Sequence, residues 1–344
     1  MIGMDIFGSD AFSGIELTGA LEKVPYVPGF LGTLNIFEAR PVRTVSIAIE
    51  QRDRTLTIIP VTPRAAPPSP VAKDYGKIRD FRTVRIAQQD TLYASEIQNY
   101  RAYGDLSELA QVQDEVLARM TTLRRNASLT LEHMRLGAVQ GILYDSDGTT
   151  VLRNWFTEFG ITQPAEVDFD LDNGTPASGA LRIKVNAIVR AVQRAASGTW
   201  IDGRSYVMGL CGDTFFDQLA AHTEIRSTYL NQQEASQLRG PVGMPYQSLQ
   251  FGGINFVNYR GTDDGTTISV GATKCKFFPV DAPGAFILAL SPGESFEWVN
   301  TPGKEIYALQ VPDRDRNQWV SLEVYSYPLP IATRPEMLQS ARNT

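Results

Sequence analysis

The sequence predicts an α+β fold organised around one long helix, and three observations predict it. Between Asp105 and Leu143, apolar and small residues recur at helical spacing with no proline among them. Before that stretch, strand-like alternation flanks a cluster of prolines. After it, a helix-and-strand region passes into alternating strands, so strands lie on both sides of the long helix in sequence.

Residues 1–41 read as an N-terminal arm. The opening MIGMDIFGSDAFSGIEL is rich in Gly and Ser with spaced apolar residues, and it lacks the basic region and continuous apolar core of a secretion signal.

Residues 42–94 read as an extended β-arm. Val45, Ile47 and Ile49 alternate with Thr44, Ser46, Ala48 and Glu50, the pattern of a half-buried strand. Gln51–Arg54 breaks the alternation and Thr55–Ile58 resumes it, which suggests a hairpin. Pro60, Pro63, Pro67, Pro68 and Pro70 then exclude a ladder strand and stiffen an exposed tip, placed at 60–77. Thr83–Ile86 resumes extended structure, and Asp90–Ile97 leads toward the helix. A disordered Pro-rich linker is the alternative reading of the tip. An arm this long cannot bury itself, so another copy of the chain is its natural partner.

The helix, about 105–143, is a spine. Leu106, Leu109, Val112, Val116, Met120, Leu123, Ala127, Leu131, Met134, Ala138 and Ile142 are spaced by three or four residues, one apolar face of an α-helix. Asp105 with Glu108 resembles a capping box after Gly104, and Gly141 marks the far end. Such a helix is roughly 55 Å long at 1.5 Å per residue. A coiled coil is the alternative, but the stripe drifts with a 3.6 period and not 3.5.

Beyond the spine, residues 141–152 form a hairpin turning at Asp147-Gly148. Asp168–Gly179 is the passage to a second subdomain. Leu181, Val185, Ile188, Val189 and Val192 make an amphipathic helix, Tyr206–Leu210 a buried strand, and Thr214–Tyr229 a helix. Asn231–Gly243 reads as a loop. Antiparallel strands follow through Tyr327, including Trp319–Tyr325.

Charge separates the arm from the rest. Arg40–Ile86 holds ten basic residues against four acids, a net +6 inside a 344-residue chain of −6, which leaves −12 elsewhere. Arg52, Arg54, Arg64, Arg79, Arg82 and Arg85 are therefore candidate contacts from the arm to a neighbouring copy. Asp105, Glu108, Asp114 and Glu115, in the first turns of the spine, are the candidate acceptor face. Complementarity of this kind sets register and encounter rate more than affinity. Gly104, Gly137 and Gly141 are candidate hinges.

Chemistry is sparse. The only two histidines, His133 and His222, lie in no metal-binding spacing and read as helix-surface or packing residues. Asp168, Asp170 and Asp172 resemble the start of a calcium loop, but Asn173 and Gly179 stand where its glycine and glutamate belong. Gly252-Gly253 lacks the rest of a phosphate loop, and no G-x-S-x-G elbow occurs. Cys211 and Cys275, far apart in sequence, read as buried free thiols of a reducing compartment. No run of eighteen apolar residues marks a membrane span. No catalytic residue, cofactor or metal is assigned, and an enzyme with a Pro-rich interdomain linker is the outlying alternative.

The order of elements resembles the major capsid proteins of tailed bacteriophages, specifically the lambda-type (phage major capsid protein E) family. The residues that carry the resemblance are Pro60-Val-Thr-Pro63, Glu96-Ile97 through Arg101-Ala-Tyr-Gly104, Val167-Asp-Phe169, Tyr327-Pro-Leu-Pro-Ile331 and Arg334-Pro335. The resemblance implies an extension loop at 42–94 lying over a neighbour. It further implies a peripheral domain at 95–178 and 301–344, and an axial domain at 179–300. It also implies self-assembly into pentamers and hexamers of an icosahedral shell in the host cytoplasm, with a scaffolding protein, a portal and a decoration protein as partners. The shell of the virion would enclose double-stranded DNA without sequence recognition. A net acidic body agrees with an interior that does not hold DNA tightly. A nanocompartment shell of related fold, enclosing an enzyme, is the runner-up.

Overall fold

The computed structural model describes residues 18, 29–51, 76–97, 108–196, 198–231, 248–259, 261 and 269–343. A short helix α1 (Phe30–Thr33) is followed by strand β1 (Glu38–Pro41) and the arm strands β2 (Ser46–Gln51) and β3 (Lys77–Arg82). Then come β4 (Ile86–Tyr93), the one-turn α2 (Ala94–Ile97) and the spine α3 (Glu108–Gln140). A hairpin of β5 (Ile142–Tyr144) and β6 (Val151–Asn154), helix α4 (Trp155–Phe159) and β7 (Val167–Asp168) lead to α5 (Ala180–Ala195). Strand β8 (Tyr206–Cys211) precedes α6 (Asp213–Ala221) and α7 (Thr223–Asn231). The remaining strands are β9 (Ser248–Phe251), β10 (Ile254–Asn258), β11 (Lys274–Val280), β12 (Phe286–Leu290), β13 (Tyr307–Pro312), β14 (Trp319–Ser326), β15 (Pro328–Ala332) and β16 (Gln339–Arg342).

Three larger sheets organise these strands. A six-stranded sheet runs β7-β16-β11-β8-β10-β9, and two three-stranded sheets run β1-β12-β15 and β13-β14-β4. The strands are not all antiparallel, as alternation alone suggests: β10 lies parallel to β8, β1 to β12 and β16 to β7. Alternation reports which face is buried and is blind to strand direction. Strands β12 and β15 are buried at every position, so they read as apolar runs with little alternation. Pro328 and Pro330 are tolerated because β15 is an edge of its sheet, and the spine packs beside it.

The spine joins two hydrophobic cores. Its first half places Val112, Val116, Met120, Leu123 and Ala127 against Leu92, Ala308, Val320, Leu322 and Val324 of the β13-β14-β4 sheet. Its second half places Leu131, Met134, Ala138 and Val139 in the larger core shared with the six-stranded sheet. At 33 residues it spans roughly 50 Å, enough to couple both. The apolar stripe read from sequence is the buried face from Val112 to Ala138. The helix ends three residues short of the expected Leu143. Gly141 takes a left-handed φ of 87°, and Ile142–Tyr144 becomes β5. A Cβ on Gly141 would fall on the Phe156 ring, which explains the glycine.

Other boundaries also move. Thr83–Arg85 is a connection between β3 and β4, because Thr83 and Val84 donate outside any ladder, to Val45 O and Pro328 O. The expected proline-rich tip of 60–77 therefore overlaps strand β3 at Lys77. The path into the spine turns helical at Ala94–Ile97. The single helix expected at Thr214–Tyr229 is two helices, broken at His222, whose ψ of 138° is extended. Among the described residues the partner of β2 is β3, across the proline-rich segment; Thr55–Ile58, the expected hairpin mate, lies outside them. The loop Asn231–Gly243 lies outside them as well, apart from Asn231.

The hairpin after the spine turns where the sequence places it, with the Gly148 N–H donating to Asp145 O. The Thr150 hydroxyl and the backbone N–H groups of Thr150 and Thr149 donate to the Asp147 carboxylate. They hold its carboxyl well below the usual range.

Candidate subunit-contact surface

The arm base has one face committed to its own subunit and one face open. Pairing of Ile47 with Phe81 and of Ile49 with Arg79 sets these four on one side of the β2-β3 hairpin. Ile47 and Phe81 are buried, so the base of the arm is anchored and does not stand free as its length alone implies. Phe81 meets Trp155 edge-on at 5.4 Å and Phe159 at 5.7 Å between ring centroids. These aromatics are delivered by α4, whose first turn is capped by the Asn154 side chain accepting from Phe156 N and Thr157 N.

Of the six candidate arm arginines, Arg52, Arg54 and Arg64 lie outside the described residues. The other three do different work. Arg79 lies over the Phe159 ring at 5.5 Å and donates to Phe159 O at 3.1 Å. Arg85 pairs with Glu294 at 3.3 Å and covers the Tyr325 ring at 5.0 Å. Burial, with a 2.5 Å hydrogen bond to the Glu323 carboxylate, pushes the Tyr325 phenol up to about 12. Arg82 is exposed on the opposite face of β3. That outer face carries Ile78, Asp80 and Arg82 opposite Glu50, Ala48 and Ser46, with Ile78 74% exposed. Alternation of a β-strand is what divides these roles.

The acidic face divides in the same way. Asp105 lies outside the described residues, as does the side chain of Glu108; Asp114 is exposed. Glu115 is tied to Arg119 at 2.8 Å, one helical turn on. Arg119 also reaches Glu96 at 2.5 Å, Asp90 at 3.5 Å and the Thr91 carbonyl at 3.1 Å, clamping β4 and α2 to the spine. Sequence reading missed this hub, although Glu115 and Arg119 have the i,i+4 spacing that signals it.

It also missed Glu132. This buried carboxylate accepts from Leu31 N at 2.7 Å and Gly32 N at 3.2 Å, so it caps α1 from the spine. Arg135 lies 3.7 Å away. Burial pushes the Glu132 carboxyl up, although the Leu31 N–H and Arg135 oppose the shift.

The hinge candidates sit at tight contacts. Gly104 lies outside the described residues. A Cβ on Gly137 would lie 2.9 Å from Ile142 O and 3.1 Å from Leu143 Cα, so the returning chain crosses the spine's last turn there. Neither His133 nor His222 joins a cluster: among the described residues no group of three or more His, Cys, Asp or Glu could hold a metal. Asp168 and Asp170 are used in a local turn, with Asp170 N donating to Asp168. No described helix is long and apolar enough to cross a membrane.

The family model described as phage major capsid protein E matches residues 15–343. The major capsid protein of Salmonella phage Felix O1 (isolate Felix O1-VT1) is 24% identical over 357 residues, covering 95% of both chains. That of Pseudomonas phage KPP10 is 29% identical over 325 residues, covering 88% of this chain and 89% of its own. Among solved structures, a prophage protein of E. coli CFT073 aligns with a TM-score of 0.58 at 12% identity, over 96% of this chain and 99% of that one. The capsid of Myoviridae phage XM1 aligns at 0.50 and 10% identity, over 93% of this chain and 94% of its own. At these identities the structural likeness speaks for the fold.

Proposed function

The chain belongs to the phage major capsid protein E family, and from that premise we propose how its parts divide the work of building a shell. It is a structural protein of the virion, whose copies assemble into the icosahedral capsid; its relatives are capsid proteins and not enzymes.

The β2-β3 arm is the connector. Its inner face holds it to its own subunit through Phe81 and Arg79, so its outer face is directed at a neighbour. The exposure of Ile78 on that outer face is the observation that carries this reading, because the inner face is already committed to its own subunit and leaves the outer one for a neighbour. The first half of the spine with the β13-β14-β4 sheet forms the peripheral domain. The six-stranded sheet with α5, α6 and α7 forms the axial domain around five-fold and six-fold axes. Strand β16 joins that sheet from the C-terminal segment and β7 from the segment after the spine, so the axial core draws on both sides of residues 179–300. Basic residues of the arm, Arg82 among them, meet acidic residues such as Asp114 of a neighbour. Repetition of modest contacts over a closed surface makes the whole durable.

A scaffolding protein, a portal and a decoration protein are the further partners of such a shell, which encloses double-stranded DNA without reading its sequence. The test is assembly of the full chain, alone and with its scaffold, followed by sedimentation and negative-stain microscopy. Closed particles containing pentamers and hexamers are expected. A monomer that persists at high concentration in both conditions overturns the connector reading.

A further inference from the structure

The two cysteines, 64 positions apart in sequence, face each other across the centre of the largest sheet. Strand β8 ends at Cys211, and the antiparallel register with β11 sets it directly opposite Cys275. Their Sγ atoms are 3.2 Å apart, within hydrogen-bonding distance of each other. Both are free and wholly buried. Directly opposed residues in such a ladder have Cα atoms about 4.5–5.5 Å apart, inside the range of about 4.4–6.8 Å that a disulfide spans. The register therefore brings the backbones within reach of a disulfide, and the sulfurs need to approach by roughly 1.2 Å to reach the bond length of about 2.05 Å.

The surroundings favour this pair over the other uses of thiols. A metal needs further ligands, and no cluster of three exists among the described residues. Gly209, two residues before Cys211, makes room for the pair: a Cβ there would sit 3.0 Å from Cys275 Sγ and 2.9 Å from the Phe277 ring. Burial and the adjoining Cys211 thiol push the Cys275 thiol well above its usual range, so the pair closes slowly and only where oxidant outlasts reductant. Wholly buried sulfurs also exclude a bulky disulfide reagent and admit only a small neutral oxidant.

We propose that Cys211 and Cys275 form a dithiol that closes into an intrachain disulfide under an oxidant of the peroxide class, once the protein leaves the reducing cytoplasm. The timing rests on the shell reading, since a virion is made in one redox compartment and persists in another. The chemistry balances with hydrogen peroxide. One thiol sulfur attacks a peroxide oxygen, the O–O bond breaks, and water leaves with the thiol proton, giving a sulfenic acid. The second thiol sulfur attacks that sulfur, the S–O bond breaks, and a second water leaves. Two thiols lose two electrons and one peroxide becomes two waters. The bond ties β8 to β11 and encloses α6, α7, β9 and β10 within one covalent loop. It therefore strengthens the axial sheet by restricting the unfolded chain.

The experiment uses the full chain, both unassembled and as particles. Each sample is reduced, exposed to hydrogen peroxide, denatured, and treated with iodoacetamide. Intact mass and peptide mapping then count the thiols. The expected result is a fall from two alkylated cysteines to none, a loss of two hydrogens, and a peptide pair joining Cys211 to Cys275. The melting temperature should rise on oxidation and return with a thiol reductant. Cys275→Ser and Cys275→Ala should each keep an alkylatable Cys211 and show no oxidant-dependent rise. Two alkylatable thiols in the oxidised parent overturn the proposal, as does oxidation that stops at a sulfinic acid or links separate copies. If the unassembled chain forms the bond but no particles ever appear, the pair stands and the shell reading fails. If particles form and both thiols persist, the reverse holds.

Discussion

The carboxylate of Glu132, in the second half of the spine, accepts the backbone N–H of Leu31 at 2.7 Å, joining residues 101 positions apart. A second bond from Gly32 N and the approach of Arg135 complete the site. The end of the N-terminal segment is thus fastened to the helix that bridges both cores. Glu132→Ala leaves two backbone donors and Arg135 without their acceptor, and should cost about 2–4 kcal/mol in equilibrium unfolding. A loss below about 0.5 kcal/mol would show that the cap contributes little.

The same residue predicts a pH dependence. The folded state raises the Glu132 carboxyl above its ordinary value, chiefly through burial. Its contribution is fully present below the ordinary glutamate range and is lost as pH rises through the raised folded value. Glu132→Gln has no such titration. Melting temperatures of parent and variant, measured in steps from acid to neutral pH, should diverge with the variant gaining on the parent. A constant gap would rule out Glu132 as the titrating group.

Phe81 fixes the arm base through two aromatic contacts and is 2% exposed. Phe81→Ala should cost about 3–5 kcal/mol. Amide exchange should quicken first in β2 and β3, which form a two-stranded unit held by that face. Exchange that quickens equally throughout the chain would place Phe81 in the global core and not at a local anchor.

Arg82 and Arg79 separate contact from stability. Arg82→Glu changes the open face and should leave the unfolding free energy within about 0.5 kcal/mol while slowing or blocking shell formation. Arg79→Glu removes a stacked, hydrogen-bonded cation from Phe159 and should lower the stability of the subunit itself. Light scattering for assembly and denaturant titration for stability distinguish the two. Normal shells from Arg82→Glu would remove Arg82 from the contact.

Gly137→Ala inserts a methyl 2.9 Å from Ile142 O, where backbone and not a flexible side chain must move. Destabilisation of about 1–3 kcal/mol is expected, despite the better helix propensity of alanine. A more stable variant would mean that the turn into β5 is looser than its contacts indicate.

Local pattern carried much of this protein. The three-to-four spacing from Val112 to Ala138 identified the spine and its buried face, Gly141 its end, and Asp147-Gly148 the next turn. Those features follow from neighbours within a few residues, which a linear sequence displays directly. Charge counting located the basic arm but could not say which arginine faces outward. That depended on the Ile47–Phe81 register and on Trp155 and Phe159 lying beneath one side of the hairpin.

The amino-acid order by itself determined the period and polarity of each element, since backbone geometry converts spacing into faces. Only the tertiary structure decided the partners of those faces. It set β10 parallel to β8, brought Glu132 to Leu31, and placed Cys211 opposite Cys275. Each of these joins residues far apart in the chain, and such contacts depend on how buried surfaces pack in space.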